Sequence, residues 1–251
     1  MSEENLAESK PSVTVAPGSC WPEISKALES KRYELCLVGA EIKKRIEDNN
    51  GELDKHLFKL KHLNFLEIAK TSLKKVPMEI SLITNLTQFV CHSNELNEVP
   101  EGSIGTLVNL KNLDLSNNKL TKLPADLSNL KELATINFSV NQLTELFPFG
   151  DFAKLAVLEI NHNKFRQLPD DICSKALENL STINASSNEL VEIPAYLNQL
   201  PSLKLLNLEN NQIQQVPSNL SQCFKLKDLL LKENKLKDNR LKKLVDANKA
   251  K

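Results

Sequence analysis

The chain has 251 residues, equal numbers of acidic and basic side chains and a formal net charge of zero. This balance removes any whole-chain electrostatic argument for binding nucleic acid or an anionic membrane. No stretch is apolar enough to span a bilayer, and the polar first residues lack the pattern of a secretory signal. The five cysteines are scattered without a C-x-x-C pair, so we expect a reducing, cytoplasmic location.

The first 60 residues divide into two parts. Residues 1–20 are polar, contain two prolines and show no periodicity, which predicts a disordered tail. Residues 21–60 are expected to form an N-terminal cap and a divergent repeat. The cap begins with a helix from Pro22 to about Arg32 that places apolar side chains on one face, namely Ile24, Ala27 and Leu28.

The divergent repeat follows this helix. Leu35 and Leu37 are spaced like the apolar residues of a half-buried strand, and Ala40 and Ile42 continue the offsets of the later repeats. Its second half is rich in helix-forming residues from Glu41 to about Asp48, which predicts a true helix.

Residues 61–237 repeat one pattern eight times. Residues 110–120 spell L-x-x-L-x-L-x-x-N-x-L, and successive copies begin 22 to 25 residues apart. The first leucines are Leu63, Leu86, Leu110, Leu133, Leu155, Leu180, Leu203 and Leu226. This pattern is the signature of a leucine-rich repeat. It predicts an α/β fold, a right-handed solenoid with a parallel concave β-sheet and helical end caps.

The ninth position of the pattern is asparagine in seven copies. The residues are Asn94, Asn118, Asn141, Asn163, Asn188, Asn211 and Asn234, and Thr71 replaces asparagine in the first copy. An amide at this position has the donors and acceptor needed to satisfy buried turn backbone groups. We therefore predict a ladder of asparagines along the solenoid.

The outward residues of the predicted strands form the candidate protein-binding surface. They are Phe65, Glu67, Asp114, Asn137, Val157, Glu159, Asn184, Leu205, Asn207 and Leu230. Solenoids bind partners on such extended concave surfaces. The alternative is a solvated repeat face without a specific partner.

Charges on the flank just past the strands alternate in sign from one repeat to the next. Lys74 and Lys75 are followed by Glu95 and Glu98, and these by Lys119, with further alternation up to Glu192. Neighbouring repeats are close enough for such side chains to pair. We favour a self-neutralising set of exposed ion pairs over a recognition stripe.

Residues 238–251 are predicted to be a C-terminal cap helix and a basic tail. Asp238 can cap a helix that carries Leu241, Leu244 and Val245 over the last strand. The candidate contacts for RNA or another anionic partner are Lys237, Arg240, Lys242 and Lys243. The alternative is a solvated cap, because no aromatic residue alternates with these charges.

No pattern indicates an enzyme. His92 and His162 lie three repeats apart, too far to share a metal, and His56 and His62 stand alone before the first full repeat. The spacing of the acidic groups on the concave side arises from any acidic repeat face. We therefore predict no catalytic residues, no metal, no cofactor, no small-molecule substrate and no membrane contact.

Several segments at the two ends resemble one family. These are C-W-P-E at 20–23, Y-E-L-C-L-V-G at 33–39, H-L-F-K-L at 56–60 and N-K-L-K-D-N-R-L-K-K-L-V at 234–245. They are similar to the leucine-rich repeat-containing protein 47 family. That resemblance implies a further domain, like the B3/B4 region of phenylalanyl-tRNA synthetase, and an association with RNA or translation. The domain is not in this sequence, which is then a fragment or a short member, and no residue here can be assigned the RNA link.

Three functions remain open from the sequence. The first is a non-enzymatic scaffold that binds a protein partner on its concave face. The second is an RNA-binding or translation-associated factor, as the family resemblance implies. The third is a signalling scaffold for small GTPases or phosphatases, because the Leu-Pro repeats of about 23 residues also resemble those of the Ras-group repeat proteins.

Overall fold

The computed structural model describes residues 19–149 and 152–247, without the side chains of the last two. The predicted disordered tail lies outside these residues except for its last two positions, and residues 248–251 of the basic tail also lie outside them. None of the helices in the described ranges has the length and hydropathy needed to cross a bilayer.

Within residues 19–149 and 152–247, nine short strands form one sheet. They are β1 Glu34–Val38, β2 Phe65–Ala69, β3 Gln88–Val90, β4 Asn112–Asp114, β5 Thr135–Asn137, β6 Val157–Glu159, β7 Thr182–Asn184, β8 Leu205–Asn207 and β9 Asp228–Leu230. Each strand pairs in parallel with the next in chain order. The strand of the divergent repeat is included, since Leu35 pairs with Leu66. The predicted fold class, a leucine-rich-repeat solenoid, is therefore confirmed.

The core is a single cluster of apolar side chains that runs the length of the array. In β4, Leu113 is buried while its neighbours Asn112 and Asp114 are half-exposed, as the alternation of a half-buried strand requires. The inward leucines of the pattern are buried against adjacent repeats, apart from the partly buried Leu226 and Leu229 in the last copy, so the stability of one repeat depends on its neighbours.

The chain returns from each strand through extended segments and short 3-10 helices. These helices cover Lys55–Lys59, Met78–Leu82, Ile104–Thr106, Ala125–Asn129, Asp170–Cys173, Leu197–Gln199 and Ser218–Gln222. Four of them directly follow a proline, and three of these prolines, Pro77, Pro124 and Pro169, are in extended conformation. Proline fixes its own φ and biases the preceding residue to extended geometry, which sets the start of the return path.

The N-terminal helix α1 spans Pro22–Ser30, two residues shorter than predicted. It ends because Lys31 adopts a left-handed conformation with φ 47°. Ile24 and Ala27 are buried as predicted, whereas Leu28 is only partly buried. The helix lies against β1 and begins the core at this end of the array.

The second helix, α2, spans Ala40–Asp48. Gly39 precedes it with φ 95°, a conformation that favours glycine. The expected match between Ala40 and the ladder position of later repeats is wrong, because Ala40 begins the helix and is exposed. The buried residues of this helix are Ile42 and Ile46.

The C-terminal helix α3 spans Asn239–Ala247. Asp238 caps it as predicted, since its Oδ1 accepts hydrogen bonds from the backbone N–H groups of Arg240 and Leu241. Leu241 is half-buried against the core, but Leu244 is 67% exposed. The prediction that Leu244 covers the last strand is therefore wrong.

The asparagine ladder is confirmed. Asn141, for example, is buried; its Nδ2 donates to the carbonyl oxygens of Leu115 and Phe138, and its Oδ1 accepts from Leu120 N. The members from Asn118 to Asn234 repeat this geometry, although Asn234 is only half-buried. Thr71 also takes part, because its N–H and hydroxyl both donate to Asn94 Oδ1.

The residue before each ladder asparagine adopts a left-handed conformation, which the sequence did not indicate. The seven residues are Ser93, Asn117, Val140, His162, Ser187, Asn210 and Glu233, with φ between 53° and 56°. Asparagine tolerates this conformation, whereas a β-branched residue such as Val140 is strained in it.

Candidate binding surface

The sheet presents its outward side chains in two columns that follow the strand pairing. The first column runs through Phe65, Gln88, Asn112, Thr135, Val157, Thr182, Leu205 and Asp228. The central column runs through Cys36, Glu67, Val90, Asp114, Asn137, Glu159, Asn184, Asn207 and Leu230. We call the surface formed by these two columns the concave face. All ten residues predicted to bind a protein lie on it, half-buried or, for Leu230, exposed.

The polar side chains of the central column are fixed by the backbone that follows them. Asp114 Oδ1 accepts a hydrogen bond from Ser116 N at 2.9 Å, and Asn137 Oδ1 accepts from Ser139 N at 3.1 Å. Asn184 and Asn207 repeat this contact with the residue two positions on. Such turns hold the side chains in one orientation on the concave face.

Hydrogen bonds also run sideways between neighbouring strands. Asn137 Nδ2 donates to Asp114 Oδ2 at 3.2 Å, and Asn184 Nδ2 donates to Glu159 Oε2 at 2.7 Å. Each pair joins residues from adjacent repeats, 23 and 25 positions apart. The polar part of the concave face is therefore ordered before any partner arrives.

Apolar groups interrupt this polar surface. Phe65, Val157 and Leu205 lie in the first column, and Val90 lies in the central column between two carboxylates. The exposed Cys36 lies beside Glu67 on the neighbouring strand. Partial burial, followed by the hydrogen bond and charge of Glu67, raises the pKa of the Cys36 thiol and keeps it protonated at neutral pH.

The alternating charges of the flank pair across repeats as predicted. Lys75 Nζ lies 3.1 Å from Glu98 Oε1, and Lys119 Nζ lies 2.9 Å from Glu95 Oε2. The hydrogen bond and charge of Lys119 lower the pKa of the Glu95 carboxyl. Arg166 and Glu189 form a third pair of this kind at 3.3 Å. Because these pairs are exposed, they neutralise the flank while contributing little stability.

The basic residues suggested for an anionic partner lie at the C-terminal end of the array. Lys237, Arg240, Lys242 and Lys243 are all exposed, on α3 or just before it. No contact among the described residues brings them to the concave face, so the two sets of candidate residues form separate surfaces.

One cluster of possible metal ligands was not predicted from the sequence, in which His56 was interpreted as isolated from other ligand residues. Donor atoms of Cys20, Asp54 and His56 lie within 4.8 Å of one another. Both oxygens of the buried Asp54 already accept hydrogen bonds, Oδ2 from Trp21 N at 2.6 Å and Oδ1 from the backbone and ring of His56. Its visible role is to cap a 3-10 helix and to fasten α1 to the array.

Comparisons with known proteins agree with this geometry. Residues 84–143 and 153–213 match the leucine-rich repeat family model. Among solved structures, an internalin from Listeria monocytogenes aligns with a TM-score of 0.66 at 24% identity, over 76% of this chain and 54% of that one. YopM from Yersinia enterocolitica aligns with a TM-score of 0.61 at 23% identity, over 85% and 41%.

The proteins with similar sequences include a channel subunit, an adenylate cyclase and podocan. The rat volume-regulated anion channel subunit LRRC8D is 29% identical over 72% of this chain and 20% of its own length. Adenylate cyclase from Schizosaccharomyces pombe is 33% identical over 59% and 8%, and mouse podocan 32% over 54% and 23%. The chain thus spans less than a quarter of each of these relatives. The motif spacing, the parallel sheet and these matches together establish that the chain carries leucine-rich repeats stacked into one solenoid.

Proposed function

We propose that this protein is a cytoplasmic, non-enzymatic scaffold that binds a protein partner on its concave face. The observation that carries the proposal is the pre-ordered mixture of polar and apolar groups on that face. Asp114, Asn137 and Asn184 are held by hydrogen bonds, while Val157 and Leu205 are half-exposed beside them. Fixed polar groups around apolar anchors favour binding because little side-chain entropy is lost on association.

The arrangement of ionisable groups supports a binding role over a catalytic one. The carboxylates of the central column are separated by two strand spacings, about 10 Å, and lie on an open sheet rather than in a cleft. The buried Cys91 has a pKa raised by burial to about 12, which makes it a packing residue and not a nucleophile.

The proposal can be tested by affinity capture with two matched variants. Val157→Arg with Leu205→Arg places two bulky cations on the concave face. Val108→Arg with Val191→Arg makes the same substitutions at exposed positions away from the sheet. We expect the first variant to lose partners that the wild type and the second variant both retain. Equal capture by all three folded proteins would contradict binding through the concave face.

The second function, association with RNA, draws on the family resemblance and on one observation. The resemblance to the leucine-rich repeat-containing protein 47 family implies an RNA or translation role, and Arg240, Lys242 and Lys243 are exposed on α3. Phosphate groups bind such exposed cations. Crosslinking to RNA with and without residues 238–251 tests this role. An unchanged crosslinking signal after truncation would show that these residues do not bind RNA.

The third function, a scaffold for small GTPases or phosphatases, uses the same concave face. A pull-down with Asp114→Lys plus Glu159→Lys tests it. If a GTPase or phosphatase binds the wild type and this variant equally, the concave face is not its binding site.

A further inference from the structure

Carboxylates lie on three alternate strands of the concave face. Glu67 lies on β2, Asp114 on β4 and Glu159 on β6, all in the central column. Parallel strands are about 4.8 Å apart, so successive carboxylates are about 10 Å apart along the array. This regular spacing is a property of the folded chain, because the residues are 47 and 45 positions apart in sequence.

Each of the three carboxylates is contacted from the next repeat. Asn137 and Asn184 hold Asp114 and Glu159 through neutral amide groups. Glu67 Oε1 lies 3.8 Å from His92 Nε2, a weaker contact. An amide donor orients a carboxylate but does not cancel its charge.

The charge of these carboxylates is therefore left available to a partner. Among residues 19–149 and 152–247, no lysine or arginine forms an ion pair with any of the three. The flank differs, because Glu95, Glu98 and Glu189 are each paired with a cation. On the concave face, Glu67, Asp114 and Glu159 therefore keep negative charge that no lysine or arginine of the described ranges neutralises.

We propose that the concave face binds a basic α-helix that lies along the array with Lys or Arg at every seventh position. This inference rests on the proposed function and names the chemistry of its partner. Seven residues of an α-helix rise about 10.5 Å, which matches the spacing of the carboxylates. The outward face of three-residue strands is about 10 Å wide, close to the diameter of a helix with its side chains.

One apolar group lies between two carboxylates of the central column, and another lies beside the third. Val90 separates Glu67 from Asp114 in the central column, and Val157 lies on the same strand as Glu159. A helix with small apolar residues between its cations would bury these valines, which adds hydrophobic stabilisation to charge pairing. RNA is disfavoured on this face, since its phosphates would meet carboxylates.

The test uses fluorescent peptides and the full chain. The first peptide is an alanine-rich helix that carries three lysines spaced seven residues apart. The second has the same composition, but its lysines are spaced five residues apart. A third peptide is proline-rich and extended, with lysines at every third position, about 9.3 Å apart. Binding is measured by fluorescence anisotropy at two salt concentrations.

Two triple variants remove equal charge from different surfaces. Glu67→Gln, Asp114→Asn and Glu159→Gln neutralise the concave face, whereas Glu95→Gln, Glu98→Gln and Glu189→Gln neutralise the flank. We expect the first peptide to bind best and the concave variant to weaken it by about tenfold or more. The flank variant should change its affinity by less than about twofold.

Three results would overturn the inference: equal binding of the first two peptides, equal loss in both triple variants, or tightest binding by the extended peptide. The proposed function is judged separately, by capture with Val157→Arg and Leu205→Arg. If that variant loses its partners while the peptides show no preference, the scaffold role stands and the basic helix is rejected. If both experiments show no effect of the concave face, both ideas fail.

Discussion

The side-chain oxygen of Asn141 accepts the backbone N–H of Leu120, a residue in the preceding repeat, at 3.0 Å. Its amide nitrogen donates back to Leu115 of that repeat, also at 3.0 Å. One side chain therefore satisfies backbone groups of its neighbour that the packed solenoid shields from water. The asparagine ladder joins the repeats by polar contacts, just as the leucines join them by apolar ones.

Removing the Asn141 side-chain amide should destabilise the fold. We expect Asn141→Ala to lower the free energy of unfolding by about 1 to 3 kcal/mol, because buried donors and acceptors lose their partners. Urea denaturation measures the change. Asn97→Ala, at an exposed position without a ladder contact, serves as the control and should have little effect. Similar losses in both variants would contradict the role of the ladder.

Val140 should be replaceable with a gain in stability. It is 44% exposed and has φ 55°, a left-handed conformation that strains a β-branched residue. Asn117 and Asn210 occupy the same position in other repeats. We therefore expect Val140→Asn to raise the free energy of unfolding by about 1 kcal/mol.

The control for this change is Val108→Asn. Val108 is 55% exposed and does not have a positive φ. If the gain comes from relieved backbone strain, this control should show none. A gain of the same size at both positions would mean that removing an exposed valine, and not the conformation, is responsible.

The C-terminal helix offers a pair of leucines with different environments. Leu241 packs against the core, whereas Leu244 is 67% exposed. We expect Leu241→Asp to lower the free energy of unfolding by about 1 to 2 kcal/mol through lost apolar burial. Leu244→Asp should have a much smaller effect in the same thermal or urea unfolding measurement. The reverse order would contradict the packing described for α3.

Stability should depend on pH through Asp54. Burial alone would raise the pKa of this carboxyl, but hydrogen bonds from His56 and Trp21 together hold it below the ordinary value of 3.8. A carboxyl whose pKa is lower in the folded state stabilises the protein above its ordinary pKa. This contribution is lost as the pH falls below 3.8 toward the folded-state pKa.

Comparing unfolding at two pH values checks this expectation. The difference in stability between the wild type and Asp54→Asn should be larger at pH 6 than at pH 3. The exposed Asn97→Ala, which removes no ionisable group, should show no such change. If the Asp54→Asn difference is the same at both pH values, the hydrogen bonds do not favour the ionised carboxylate.

Most of the fold was predictable because it depends on spacing within the sequence. The positions of Leu113 and Leu115 fix which side chains of β4 face the core, and Asn118 marks the turn that follows. The same alternation placed Asp114 and Val157 on the outward face. These features repeat in each copy, so local periodicity is sufficient to find them.

Other features depend on contacts between distant segments. Cys20 meets Asp54 and His56 only because α1 folds back onto the first repeats. The left-handed conformation of Val140 is imposed by the turn that the ladder stabilises, and its residue type gives no sign of it. The bond between Asn137 and Asp114 could have been found by aligning adjacent copies, since both lie in the central column.

The alternating charges of the flank constrain how the array can change in length. Deleting one unit, such as residues 110–132, would bring Glu98 next to Glu145, so that like charges repel across the new junction. Deleting two units, residues 110–154, would instead place Glu95 next to Lys164 and restore an attractive neighbour. Gain or loss of an even number of repeats keeps charges of opposite sign next to each other on the flank. The leucine pattern alone does not impose this restriction.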